Sequence, residues 1–279
     1  SHHLGEEAEN SFTNDIHDGL YFDYIMANPP FNLKGWWDDN LINDKRWADY
    51  ALPPESNANY AWILHMLSHL KKDKGVAGFL LANGALGDSD GTAPIIRQKL
   101  LEKDVVEAIV VLPRELFITT DISVTMWILN MNKRGGRQGD RTLRDRSGEV
   151  LFIDLRSWTL PEYNNAVKGM QKKKFELNAE QISRAAAIYH RWQEQGTDGT
   201  QYAQPELYRS VSITEIGNDE NKFSLVPSRY IEFVDRDSNI DYDKVLREAS
   251  AKVSDLLKSH TENVDKIRNA FNTLGYECK

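Results

Sequence analysis

Residues Tyr21–Ala27 (YFDYIMA), running straight into Asn28-Pro29-Pro30-Phe31, decide how the rest of the chain is read. Six of the seven are aromatic or apolar, with Asp23 the exception; they follow an Asp18-Gly19 turn and stop at two prolines, which cannot donate into a sheet ladder, and they read as a strand. Next, Asn57 or Asn59 offers an N-cap to a helix running to about Lys72. Its apolar positions Tyr60, Ile63, Leu64, Leu67 and Leu70 keep the three-and-four spacing of one buried face. Val76–Ala82 (VAGFLLA) is apolar throughout, as a parallel strand covered on both faces should be. Thr92 can cap the following helix, with Pro94 tolerated in its first turn and Ile95, Ile96 and Leu100 on its buried side. Val105–Leu112 and Ile122–Leu129 complete the series as strands. The order β-α-β-α-β-β predicts an α/β fold, a doubly wound sheet whose last strand returns antiparallel.

Past this point the composition shifts. Lys133–Gly148 (KRGGRQGDRTLRDRSG) carries six basic and two acidic residues and reads as a surface loop or domain junction that can touch phosphate. Glu149–Leu155 is a further strand. Asn178 and Gln181 form a capping box for a helix to about Glu194, with Ile182, Ala185, Tyr189 and Trp192 on one face. Gly196–Gln204 reads as a polar linker. From Asp241 onward no proline interrupts the chain, and Leu246, Val253, His260, Ile267 and Leu274 recur every seven residues, interleaved with Leu257, Val264 and Phe271. That is a coiled-coil-like seam, weakened by His260 and Ser250, and such a stripe needs either its own domain or a partner's helix to cover it.

The whole chain has 279 residues, 41% hydrophobic and 10% aromatic, which excludes a disordered or linker protein. Thirty-four Lys+Arg against 42 Asp+Glu leave a net charge of −8, so no chain-wide basic field grips nucleic acid unaided. The single cysteine, Cys278, rules out an internal disulfide framework and suits a reducing cytosol, so a cytoplasmic location is expected. Apolar runs such as Val76–Ala82 fall far short of the ~20 residues of a membrane span. The chain opens Ser1-His2-His3, without a methionine or a secretory pattern, and reads as a piece of a longer protein.

The tetrapeptide Asn28-Pro29-Pro30-Phe31 carries the chemistry. At the carboxyl end of a strand in a doubly wound sheet it sits where ligands bind. The exocyclic amine of a base is a poor nucleophile, because its lone pair is delocalised into the ring. Two acceptors, the Asn28 side-chain oxygen and the Pro29 carbonyl, can bind its two N–H groups and favour a more pyramidal nitrogen. Two prolines aim that carbonyl before substrate arrives, and Phe31 offers a ring face to a base drawn out of the helix. The plainer alternative is a strand-ending turn with Phe31 as a core plug.

Phe12–Asn32 (FTNDIHDGLYFDYIMANPPFN), Asn57–Leu86 (NANYAWILHMLSHLKKDKGVAGFLLANGAL), Ile109–Asn130, Glu149–Arg156 (EVLFIDLR) and Phe223–Tyr230 (FSLVPSRY) together resemble the methyltransferase (M) subunit of type I DNA restriction-modification systems, the adenine-N6 family. The resemblance implies that Asn28–Phe31 holds the target adenine and that S-adenosylmethionine donates the methyl group. It places the family's Gly-Asp-Thr-Leu-type motif on Glu9-Asn10-Ser11-Phe12, so that cofactor contact falls to Asn10, Ser11 and Phe12. It also implies a separate specificity (S) subunit that reads DNA, a restriction (R) subunit that cleaves it, and a second M subunit. The family's glycine-rich cofactor loop and acidic ribose ligand lie upstream of the matched segments. Gly84, Gly87 and Gly91 match no dinucleotide-type fingerprint. The chain is therefore expected to be the back part of the methyltransferase sheet (1–132), a basic Gly-rich loop (133–148), a small α/β extension (149–240) and a subunit-contacting helix (241–279), inactive alone. The other readings are a related methyltransferase acting on RNA or a protein glutamine, and a non-catalytic interaction fragment.

His65 and His69 lie four apart on a helix, but no Glu follows His65 and the sequence offers no third ligand, so no metal is expected. Lys172–Lys174, beside Phe175-Glu176, reads as solvated.

Overall fold

In a computed structural model, residues 10–117, 122–138, 140–158, 176–234 and 242–276 are described; Lys172–Lys174 and Cys278 lie outside them. The chain divides into two units, 1–233 and 234–279. In the first, β1 (Tyr24–Ala27), β2 (Val76–Ala82), β3 (Val106–Val111), β4 (Val124–Asn130), β7 (Glu149–Asp154), β8 (Ala203–Gln204) and β9 (Tyr208–Ser212) build a seven-stranded mixed sheet in the order β1-β2-β4-β3-β7-β9-β8. β1 runs parallel to β2 and β3 parallel to β7, while β4 is antiparallel to both its neighbours. The expected antiparallel return strand therefore exists, and it inserts at the sheet's centre. Its alternate residues Trp127 and Leu129 are fully buried, which a central position permits and an edge would not. The segment after residue 149 is continuous with the same sheet through the β3–β7 ladder.

α1 (Asn59–Ser68) and α2 (Ala93–Glu102) bury Ile63, Leu64, Ile96 and Leu100 against Phe79, Leu81 and Trp127 on one face. α3 (Ala179–Gln193) opens with the expected reciprocal Asn178–Gln181 capping box and packs Ile188 and Trp192 on Ala108, Val110, Leu151 and Ile153 of the other face. α3 covers β3 and β7 on that face and meets β4 only at its partly buried Met126 and Ile128. β2 is consequently buried at Ala77, Phe79 and Leu81 but half-buried at Val76, Gly78 and Leu80, so the expectation of two covered faces fails there. Met26 of β1, on the uncovered stretch, is 92% exposed.

Other local expectations shift for identifiable reasons. β1 is four residues long, with Phe22 making only an isolated bridge to Leu70. α1 starts at Asn59 with Ala58 as N-cap, yet the Asn57 side chain accepts from the Asn59 N–H at 3.2 Å, while the Asn59 side chain, the other candidate cap, is engaged with Asn32. Thr92 precedes α2 but its hydroxyl donates to the Leu52 carbonyl rather than capping. Ile95 and Ile182 are exposed, and Leu101 takes the inward place on α2.

The 133–148 segment is no free loop. It forms a hairpin of β5 (Gly136–Gln138) and β6 (Arg141–Leu143) whose roots are buried. Arg146 and Glu107 are both fully buried and paired at 2.9 Å. The Glu107 carboxylate also accepts from Asn130, Tyr189 and Gln193, at 2.6, 3.0 and 3.1 Å. Lys133 donates to Asp104 and to the carbonyls of Val106 and Glu149, and Arg144 pairs with Glu149. The Gly196–Gln204 linker ends as β8, the exposed strand at one edge of the sheet.

A short α4 (Ile213–Ile216) follows β9, and α5 (Tyr242–Thr273) forms the 32-residue helix of the second unit, with Leu246, Val253, Leu257, Ile267 and Phe271 exposed along it. Among the described residues no helix is long and apolar enough to cross a membrane.

Candidate active site

β1 ends at Ala27, whose register partner is Phe79, and the prolines that follow turn the chain over the carboxyl edge of the sheet. Pro29 is buried, Asn28 and Pro30 are exposed, and Phe31 is half-buried. Asn32 adopts φ +51°, a left-handed conformation that Asn tolerates through local hydrogen bonding. Its amide pairs with that of Asn59: Asn59 Nδ2 donates to Asn32 Oδ1 at 2.8 Å, and the Asn32 backbone N–H donates to Asn59 Oδ1 at 3.1 Å. The Ala58 N–H donates to the Leu33 carbonyl at 3.0 Å. The turn is thus tied to the start of α1 by three hydrogen bonds. Among the described residues, neither the Asn28 side chain nor the Pro29 carbonyl accepts a hydrogen bond.

Asn28 stands at one end of an apolar cavity of about 660 Å³ on the uncovered sheet face, walled by Met26, Gly78, Leu80, Met126, Ile128 and Tyr189. The Phe31 ring meets Phe117, from the segment after β3, edge to face with centroids 5.7 Å apart. Phe117 went unnoticed in the sequence. The signal is its place: it follows the carboxyl end of β3, at the same sheet edge where β1 ends.

Asn10, Ser11 and Phe12 occupy a separate turn. Asn10 is exposed, and its Oδ1 accepts from the Phe12 N–H at 3.0 Å. Its Nδ2 and its second oxygen lone pair have no partner among the described residues. An acceptor and a donor side by side fit the amino and ring-nitrogen edge of an adenine, the base of S-adenosylmethionine. Ser11 is half-buried. The Phe12 ring points inward, against Trp36 and Trp62 at 4.9 and 4.2 Å, and is core.

The two helical histidines do have a third polar neighbour, one the sequence did not reveal. Asp15, His65 and His69 gather their ligand-type atoms within 4.8 Å. Each atom is already engaged. His69 Nε2 lies 2.9 Å from Asp15 and its Nδ1 3.0 Å from the Leu20 carbonyl. Arg46 Nη1 lies 2.9 Å from His65 Nδ1, so that nitrogen must accept and His65 is neutral. Burial, then the Arg46 charge, push the His65 pKa down from 6.5 to about 4. Burial raises Asp15, but hydrogen bonds from the His17 N–H and His69 outweigh it and hold the carboxyl below its ordinary range. A guanidinium sits where a cation would have to enter.

The basic hairpin lies away from this chemistry. Asn130, from which it leaves the sheet, pairs with Val76, at the opposite end of β2 from Ala82.

The family model for the N-6 DNA methylases matches residues 1–238. The chain is 34% identical over 277 residues to the type I restriction enzyme HindI methylase subunit of Haemophilus influenzae, covering 98% of this chain and 56% of that protein. It is 30% identical to the MjaIX methylase subunit of Methanocaldococcus jannaschii, covering 98% and 46%. Among solved structures, a type I restriction-modification methyltransferase subunit from Streptococcus thermophilus superposes with a TM-score of 0.59 at 25% identity, over 80% of this chain and 41% of that one. The chain spans about half the length of the curated relatives it matches.

Proposed function

Since the chain belongs to the N-6 DNA methylase family, we propose that it is the base-holding part of a type I modification subunit, which methylates the N6 amine of adenine in duplex DNA. The observation that carries this is the pair of acceptors, Asn28 Oδ1 and the Pro29 carbonyl, free among the described residues on a turn braced by Asn59 and opening onto an apolar cavity.

In this reading the two oxygens accept the two N–H groups of an extruded adenine. They hold the amine where its lone pair can leave conjugation with the ring. Phe31 gives the base a stacking face, and Phe117 holds the Phe31 ring from its edge. S-adenosylmethionine, when bound, supplies the methyl group. Asn10 is the residue that would meet its adenine, and Ser11 lies beside it. The glycine-rich loop for the rest of the cofactor belongs to another part of the longer protein, as do contacts to the R subunit and a second M subunit. The S subunit, which selects the DNA site, docks along the exposed apolar stripe of α5. A cytoplasmic location goes with these partners.

The test is methylation by the full-length protein, with its S subunit, of duplex DNA, tRNA and a glutamine-bearing protein in parallel. Transfer to adenine N6 of duplex DNA, reduced by about 10²–10³ in Asn28→Ala, is expected; transfer to either of the other substrates instead would overturn the assignment.

A further inference from the structure

Arg46, in the segment between β1 and α1, is 7% exposed and commits all five of its guanidinium N–H groups. Nε and Nη2 grip the two oxygens of Asp44, at 2.9 and 2.5 Å. Nη1 donates to the Ser11 carbonyl at 3.0 Å and to His65 Nδ1 at 2.9 Å, and Nη2 also donates to the Phe12 carbonyl. The Trp47 ring covers the guanidinium at 4.9 Å. Two of these acceptors are consecutive carbonyls of the Asn10–Phe12 turn, and that turn is closed by the hydrogen bond from the Phe12 N–H to Asn10. A planar fork that holds two carbonyls while anchored by Asp44 and His65 fixes both peptide planes at once. A lysine ammonium, with three donors and no plane, cannot replace it.

We infer that Arg46 is a positioning residue for cofactor binding: through the carbonyls of Ser11 and Phe12 it sets the turn from which Asn10 presents its amide. The inference rests on the reading that Asn10 meets the adenine of S-adenosylmethionine. Arg46 itself touches neither cofactor nor substrate in this arrangement. It acts through the backbone carbonyls it holds.

The experiment uses the full-length protein and compares Arg46→Lys with Asn10→Ala, reading S-adenosylmethionine affinity by calorimetry, melting temperature, and amide hydrogen exchange at Ser11 and Phe12. In a folded Arg46→Lys protein the cofactor Kd rises about tenfold or more, exchange at Phe12 quickens, and kcat at saturating cofactor stays within about twofold of the parent. Asn10→Ala raises the Kd and, because its Oδ1 accepts the Phe12 N–H, quickens exchange at Phe12 too, so the Kd of the two variants carries the comparison. Normal cofactor affinity in Asn10→Ala overturns the reading of the turn. Weakened affinity in Asn10→Ala with normal affinity in folded Arg46→Lys overturns the role of Arg46 alone. If Arg46→Lys does not fold, Asp44→Asn takes its place. That change loosens the anchor without removing the fork, and an unchanged Kd there overturns the inference equally.

Discussion

Asn32 and Asn59 exchange hydrogen bonds, the amide of one meeting both the backbone N–H and the side-chain oxygen of the other, across 27 positions of sequence. This couples the turn after β1 to the first residue of α1, whose face is buried in the main core. Asn59 is itself 2% exposed, so its carboxamide is pinned by packing as well. The aim of the Pro29 carbonyl is therefore inherited from a rigid helix.

Removing that brace should cost catalysis more than binding. Asn59→Ala in the full-length protein is expected to lower kcat for methylation by about 10- to 100-fold, since small misplacements of a positioned acceptor are expensive. Asn59→Asp keeps the acceptor for the Asn32 N–H and loses the donor, and should fall between. Steady-state kinetics with cofactor titration checks both, and unchanged kcat in Asn59→Ala would dissociate the brace from the chemistry.

Asn28 and Phe31 should fail differently. Losing one oriented acceptor in Asn28→Ala is expected to reduce turnover by about 10²–10³, roughly 2.7–4 kcal/mol, with cofactor affinity preserved. Asn28→Asp, which retains an oxygen, keeps part of the activity. Phe31→Ala weakens capture of the base by about 1–3 kcal/mol, visible as raised KM for DNA. Equal losses in kcat and KM for both variants would contradict the division of labour.

The carboxylate of Glu107 is the structural centre of the other half of the sheet. Glu107→Ala leaves Arg146 buried, with Nη2 already lacking a hydrogen-bond partner among the described residues, and is expected to destabilise by about 3–5 kcal/mol. Replacing both, as Glu107→Leu with Arg146→Met, should recover much of the loss. Urea unfolding of the three proteins provides the measurement.

His65 makes stability depend on acid. Its folded pKa of about 4 lies below the ordinary 6.5, so the unfolded chain takes up a proton that the folded chain refuses. Stability is complete above pH 6.5 and is lost as pH falls toward 4, by about 3 kcal/mol at most. The groups facing the ring are Arg46, Asp15, His69 and His17; the lowered Asp15 adds a loss of the same sign at still lower pH. His65→Gln, which keeps an acceptor for Arg46, should flatten the pH 4–6.5 portion of the curve in thermal melts.

What could be read from the sequence was local. The α1 stripe, β2, the central apolar strands and the Asn178–Gln181 box all depend on neighbours within a few residues, and they stand where periodicity places them. The insertion of β4 between β2 and β3 depends on pairing at long range, which no spacing encodes. The Arg46 cluster draws on positions 11, 12, 44 and 65, none of them remarkable alone. The burial of Lys133 and Arg146 had a visible cue: Glu107 interrupts Val105–Leu112, and an acid inside so apolar a strand requires a buried cation. Composition, which made the 133–148 segment look solvated, concealed it.

β1 is the shortest of the strands around the chemistry and, among the described residues, is laddered on one side only, while β4 and β3 are held from both. Opening β1 therefore requires breaking one four-residue ladder and disturbs none of the central sheet. Amides of Tyr24–Ala27 should exchange through a local event far below the global unfolding free energy. A base seated against Asn28 and Met26 would add the missing contacts and close that event. Ordering of that strand and binding at Asn28 would then be linked, and a ligand held there would give up part of its intrinsic affinity to stilling the edge.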